Sequence, residues 1–142
     1  MAITGGCLCG QVRLAIAAEP EAARLCWCRD CQRIASGSAT VNVLFAPEAI
    51  TYSGEIALFE KVADSGNVVE RGFCPRCGSQ IFSRPKGGGS ATRIRAGVLD
   101  EPVMAPQAII WTDSAPAWVK LDPALPQFAK GPPALPPVPP KA

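Results

Sequence analysis

Histidine is absent from this 142-residue chain. That absence excludes Ser-His-Asp and Cys-His nucleophile systems, and with them any acid–base scheme built on imidazole. A metal ligand here must be a cysteine, a carboxylate, water or an outside molecule. Surplus charge is lacking too. Fourteen basic and 12 acidic residues leave a net +2, and no run of Lys and Arg concentrates it. The electrostatic footprint of a nucleic-acid binder is therefore missing, and a zinc-ribbon role on DNA or RNA is disfavoured. No apolar stretch approaches the ~20 residues of a membrane-crossing helix. The opening Met1-Ala2-Ile3-Thr4-Gly5-Gly6-Cys7 has neither the basic nor the apolar region of a secretory signal. The expected setting is cytoplasmic, where thiols stay reduced, with neither nucleic acid nor membrane as partner.

What is present is enough for one packed domain. Hydrophobic residues make up 48% of the chain and charged ones 18%, which fits a core-forming fold and argues against global disorder. Period-2 alternation predicts short strands at Gln11 to Ala17 and Thr40 to Phe45. Further strands are expected at Ile50 to Ser53, Ile56 to Ala63, Asn67 to Phe73, Ser79 to Ser83, Thr92 to Val98 and Gln107 to Trp111. Glycine-bearing turns punctuate them. Helix is expected only at Arg29 to Ala35 and as a turn at Pro47 to Ala49, so the fold class is all-β. Composition shifts at Pro123, with eight of the 15 prolines in Pro123 to Pro140. The domain is expected to span residues 1–128, followed by a Pro-rich, extended, exposed tail over 129–142. A P-x-x-P match at Pro133 to Pro136 reads as a solvated segment rather than a groove ligand.

Seven cysteines are the chain's main chemical feature. An odd count, clustered as C-x-C and C-x-x-C, favours metal over disulfides. Cys7-Leu8-Cys9 and Cys74-Pro75-Arg76-Cys77 are flanked by glycines. Such turns let the backbone curl round an ion and aim N–H groups at sulfur. Together they supply four thiolates for a closed, structural zinc site; the alternative for Cys74 and Cys77 is a redox pair. Cys26, Cys28 and Cys31 fall within six residues. They can hold one zinc and leave its fourth position open, as catalytic or ligand-binding zinc requires; the alternative is three inert core cysteines. Two zinc ions are thus expected, one structural and one catalytic or ligand-binding.

Three segments carry a resemblance to a known family. They are Gly-Gly-Cys-Leu-Cys-Gly-Gln-Val-Arg from Gly5, Cys-Trp-Cys-Arg-Asp-Cys-Gln-Arg-Ile-Ala-Ser-Gly from Cys26, and Gly-Phe-Cys-Pro-Arg-Cys-Gly-Ser-Gln-Ile-Phe from Gly72. They resemble the glutathione-dependent formaldehyde-activating enzyme family, which also includes centromere protein V. Ile110-Trp111, Ala117 to Leu121 and Leu125 to Phe128 are similar to the family's ending, so the likeness runs from Gly5 to Phe128. It implies a β-tent fold of short antiparallel strands, a structural zinc on Cys7, Cys9, Cys74 and Cys77, and a second zinc on Cys26, Cys28 and Cys31 where glutathione engages. The implied activity is that of a carbon–sulfur lyase joining glutathione and formaldehyde reversibly as S-hydroxymethylglutathione. In one departure, Trp27 stands where many members carry histidine.

The expected mechanism is a thiol–aldehyde addition in which coordination lowers the pKa of a thiol that is ordinarily about 8.5. Three protein thiolates and a fourth leave the ion a poor Lewis acid, so its value lies in positioning the thiol. Cys26, Cys28 and Cys31 are the candidate catalytic set. Arg29 and Arg33, one helical turn apart, and Arg95 are candidates to pair with glutathione carboxylates; solvated arginines are the alternative. Asp30 is either a proton relay or a local cap. Trp27 is a core residue or an apolar wall over the open site, and Trp111 and Trp118 are expected to be core or lid residues. The competing functional reading is a non-enzymatic zinc module that carries a thiol or binds a protein.

Overall fold

A computed structural model describes residues 2–132. The expected tail beyond Pro132, including the P-x-x-P match at Pro133, lies outside the described residues. Among the described residues, ten strands and one α-helix follow in chain order: β1 (Ile3–Gly6), β2 (Arg13–Ile16), β3 (Ala22–Cys26), α1 (Arg29–Ile34), β4 (Thr40–Phe45), β5 (Ile50–Ser53), β6 (Ala57–Val62), β7 (Val68–Phe73), β8 (Gln80–Pro85), β9 (Thr92–Arg95) and β10 (Ala108–Ile110). The all-β expectation holds. No helix among the described residues is long and apolar enough to cross a membrane.

Strands form where alternating side chains can bury one face. In β2, Leu14 and Ile16 are buried while Arg13 is exposed. β1, β2 and β5 make a three-stranded antiparallel sheet. The other seven run in the order β10-β3-β4-β9-β8-β7-β6, antiparallel except for the β10–β3 pair. The main core unites Val12, Leu14 and Ile16 with Val43, Phe45, Phe82 and Ile94 of the large sheet. The other face of that sheet carries polar side chains, among them Arg24, Asn42, Ser83, Arg93 and Arg95.

Two strands escaped the sequence reading. β1 is Ile-Thr-Gly-Gly, and glycine is depleted in strands. β3 reads Ala-Ala-Arg-Leu-Cys, whose small and straight-chain residues favour helix; pairing with both β4 and β10 overrides that propensity. The strand expected over Thr92 to Val98 stops at Arg95 and continues as a 3-10 turn, Ala96–Val98. The described residues after Pro123 are tied back to the sheet at several points. The Pro126 carbonyl accepts from Ile109 N–H, Phe128 N–H donates to the Ile109 carbonyl, and Trp111 N–H donates to the Lys130 carbonyl. A proline cannot donate to a ladder, but its carbonyl still accepts.

Candidate metal centres

The two cysteine pairs read as a closed site do converge. Cys7 and Cys9 follow β1, and Cys74 and Cys77 follow β7. Their four Sγ atoms lie within 4.8 Å of one another. Cys7 and Cys9 sulfurs are 3.6 Å apart, and those of Cys9 and Cys74 are 3.8 Å apart. A disulfide needs about 2.05 Å. A tetrahedron with Zn–S bonds of about 2.3 Å has an edge of about 3.8 Å, so these two separations are those of a tetrahedral zinc site.

Local sequence builds these turns. Gly10 and Gly78 hold φ of +83° and +79°, a left-handed conformation costly for residues with a Cβ. The curled backbone aims donors at sulfur: Val12 N–H to Cys7 Sγ at 3.1 Å and the Gln11 side-chain amide to Cys74 Sγ at 3.4 Å. Leu8 N–H donates to Ser79 Oγ, tying the two turns together. The Ser79 hydroxyl, with its own N–H, pulls the Cys77 thiol down to about 5. Cys74 is fully buried.

The second cluster is local. Cys26 ends β3, Cys28 caps α1 and Cys31 sits in its first turn. The three Sγ atoms again lie within 4.8 Å of one another. Cys28 Sγ accepts from Cys31 N–H at 3.3 Å, so Cys28 takes the capping role that Asp30 was a candidate for. The thiols share protons unequally. Hydrogen bonds from Cys26 and then Cys28 pull Cys31 down to about 2, with help from the Thr40 hydroxyl and the Arg95 charge. Hydrogen bonds with Cys28 first and Cys31 next push Cys26 far up. One thiolate thus exists readily in this cluster and the next is resisted, a proton inventory that a divalent ion would relieve.

The chain order Cys-Trp-Cys sends alternate side chains apart. Trp27 is buried among Ala39, Ile109, Leu25 and Val119, away from the sulfurs, which settles it as core. The wall beside the cluster comes instead from Ile110, Trp111 and Phe128. Trp111 adopts the left-handed region at φ 59°, ψ 38°, a strain of about 1–2 kcal/mol for a residue with a side chain. Trp118 is 74% exposed, so it is not a core residue.

Beside the cysteine trio lies a cavity of about 240 Å³, lined by Cys26, Cys28 and Cys31 and by four arginines, Arg24, Arg71, Arg93 and Arg95. Strand register explains the gathering. Arg24, Asn42 and Arg95 are opposite one another on β3, β4 and β9, and Arg93, Ser83 and Arg71 on β9, β8 and β7. Opposed residues share a sheet face. Of the arginines singled out from sequence, Arg95 lies in this cavity; Arg29 and Arg33 are exposed on α1 and do not line it. Arg29 donates to the Gln32 side chain. Arg24, Arg71 and Arg93 were missed. The signal was Arg24-Leu25-Cys26 and Arg93-Ile94-Arg95, where period 2 puts arginine beside cysteine or arginine. Asp30 also lines the cavity, but Lys61 holds its Oδ1 at 2.5 Å and Arg71 approaches its Oδ2 at 3.7 Å. Both oxygens being engaged, it anchors α1 to β6 and β7 rather than standing free as a relay.

Comparison with known proteins agrees with this geometry. A crystal structure of a Rhodobacter sphaeroides protein superposes with a TM-score of 0.53 at 17% identity, covering 68% of this chain and 87% of that one. At that identity the likeness speaks for the fold. No curated protein matches the chain. The family model described as glutathione-dependent formaldehyde-activating enzyme matches residues 2–114, a span holding all seven cysteines and all four cavity arginines. The chain belongs to the glutathione-dependent formaldehyde-activating enzyme family.

Proposed function

We propose that the protein is a zinc-dependent carbon–sulfur lyase of the cytoplasm that joins a thiol, glutathione or a close relative, reversibly to formaldehyde or a similar aldehyde. The observation that carries this reading is the cysteine trio opening onto a cavity, against a quartet whose four sulfurs close on each other. In the forward direction the thiol sulfur forms a C–S bond to the carbonyl carbon. The carbonyl π pair moves to oxygen, which takes up the proton the thiol gave; no oxidant or reductant is needed.

Cys26, Cys28 and Cys31 would hold the second zinc, and Cys7, Cys9, Cys74 and Cys77 the first. The ion on the trio, when bound, would supply a site that favours a thiolate at neutral pH. The chain's own groups do the rest. Ile110, Trp111 and Phe128 shield one side of the trio from water. Arg95 brings positive charge near Cys31. Arg29 and Arg33 remain candidates for a glutathione carboxylate at the outer surface of α1.

A second reading, a zinc module that carries a thiol without catalysis, draws on the complete lack of histidine. Two measurements separate the two. Elemental analysis of protein purified under reducing conditions without chelators should give about two zinc per chain. Glutathione-dependent loss of free formaldehyde should run faster than in buffer and return to the buffer rate in Cys28→Ser. Two zinc ions with no acceleration over buffer would leave the carrier reading in place of the enzyme.

A further inference from the structure

The four arginines are more charge than a neutral aldehyde can use. Formaldehyde offers one carbonyl oxygen, yet Arg24, Arg71, Arg93 and Arg95 all line a cavity of about 240 Å³. Two carboxylates, Asp30 and Asp64, share that lining, and Asp30 is divided between Lys61 and Arg71. Arg71 and Arg95 are each only 7% exposed. Buried side chains of this kind are normally fully hydrogen-bonded. Here the Nε groups of Arg24, Arg71 and Arg95 are buried without a partner. Arg95 spends Nη1 on Asn42, and Arg93 spends Nε on Ser83. Burial pulls Arg24, Arg93 and Arg95 below the usual guanidinium range, and repulsion from neighbouring arginines adds to it for the last two. A cluster that costs stability and leaves donors idle is matched to a ligand that the free protein lacks.

We propose that this cavity binds a compact carboxylate, held by Arg24, Arg71, Arg93 and Arg95 against the cysteine trio. An idle Nε beside its Nη presents the fork that a carboxylate fills in bidentate fashion. The volume falls below the ~300–1,000 Å³ of pockets for drug-sized ligands, so a small acid or one end of a larger molecule fits. Formaldehyde alone would leave the Nε groups of Arg24, Arg71 and Arg95 without a partner. The carboxylate therefore belongs either to the aldehyde, making it a short oxo acid, or to one end of the thiol. Placing it on a reactant rests on the lyase reading; the anion site itself does not.

The test uses metal-loaded protein and calorimetric titration with malonate, a compact dicarboxylate that cannot react. One malonate should bind per chain, and Arg24→Gln and Arg95→Gln should each weaken it about tenfold or more. Arg24→Gln, at the less buried position, guards against misfolding, and circular dichroism checks both variants. Exposed Arg13→Gln should leave binding unchanged. No saturable binding, or binding lost in Cys28→Ser but unaltered by both arginine variants, would overturn the site. Turnover then assigns the carboxylate. If the aldehyde carries it, glyoxylate outperforms formaldehyde with 2-mercaptoethanol as thiol, and Arg24→Gln removes the preference. If the thiol carries it, glutathione outperforms 2-mercaptoethanol with formaldehyde, and the same variant removes that. Arginine-dependent malonate binding without turnover keeps the site and sinks the lyase reading; turnover without malonate binding does the reverse.

Discussion

The two cysteine clusters use the same atoms for different ends. The quartet joins turns 65 residues apart in the chain and surrounds its sulfurs with fixed donors from Gln11, Val12 and Ser79. The trio occupies six consecutive residues, costs little chain entropy to assemble, and faces a cavity of charged side chains. A long-range cluster acts on the fold, because losing it releases a large loop. A short-range one is free to be open, because the fold does not depend on its closure.

The largest effect should come from breaking the quartet. Cys74 is fully buried at the end of β7 and its sulfur neighbours Cys9. Apparent zinc-binding energies of about 10–16 kcal/mol in zinc-finger peptides exceed or match the ~5–15 kcal/mol total stability of a domain. Cys74→Ser should therefore yield a largely unfolded chain at room temperature, seen as loss of the cooperative melt in circular dichroism. A variant that melts like the parent would mean the quartet does not staple the fold.

The trio should behave in the opposite way. Cys28→Ser should bind one zinc fewer and lose thiol-dependent turnover, yet melt within about 5 °C of the parent. Cys28 contributes one ligand to an open site and a helix cap, and serine can cap in its place, so less than the ~1 kcal/mol of a lost cap is at stake. Collapse of this variant on the scale of Cys74→Ser would erase the distinction between the clusters.

The clusters were legible in the sequence because metal spacing is local chemistry written in residue type. So was the all-β class, since alternation in stretches such as Thr40 to Phe45 reflects one buried face. The cavity was not. Arg24, Arg71 and Arg93 lie on three strands, β3, β7 and β9, whose order is a property of the whole sheet. Period 2 states that Arg24 shares a face with Cys26, but only register says that Arg95 stands in the same row through Asn42. Arg29 and Arg33 attracted notice because they are close in sequence to the cysteines; one turn of helix carries them to the outside. Of the two readings of Trp27, core or wall, the core reading holds, since an extended Cys-Trp-Cys places its tryptophan opposite the sulfurs, and Trp111 stands beside the trio instead.

Acid should separate the clusters more gently. Zinc binds thiolates, so a thiol whose pKa is raised keeps its proton to higher pH and releases the metal sooner as pH falls. In the trio Cys26 is raised, chiefly by its hydrogen bond with Cys28. Cys28 is raised as well: Cys26 pulls it down, but Cys31 and burial outweigh that. Only Cys31 is lowered. In the quartet Cys9 is raised to about 11; the Gln11 N–H pulls it down, and burial and neighbouring thiols overcome it. Cys77 sits down at about 5, and Cys7 is lowered because the Val12 N–H and neighbouring thiols outweigh burial. The balance, with one ligand more, favours the quartet. Titrating downward with a metallochromic dye should release about one zinc per chain while the fold persists, and a second at lower pH together with unfolding. Simultaneous release would show that the two sites hold metal equally.

The smallest effect concerns the support beside the quartet rather than the quartet itself. Arg13 on β2 pairs with Asp100 at 2.7 Å, and Thr4 on β1 donates to the same carboxylate at 2.6 Å. These contacts strap the hairpin that delivers Cys7 and Cys9 to the segment after β9. The Asp100 carboxyl is held below the usual range, by the Arg13 hydrogen bond first and the Thr4 hydroxyl next. A depressed carboxyl stabilises the fold at neutral pH and loses that contribution as pH falls through its folded value. Both partners are nearly half exposed, so water and salt screen the pair. Arg13→Ala should lower the melting temperature by about 2 °C or less, with full zinc content, and the difference should shrink in high salt and below about pH 4. If it instead cost a metal ion, the strap would belong to the quartet, and the closed cluster would owe its closure to the surface as well as to its sulfurs.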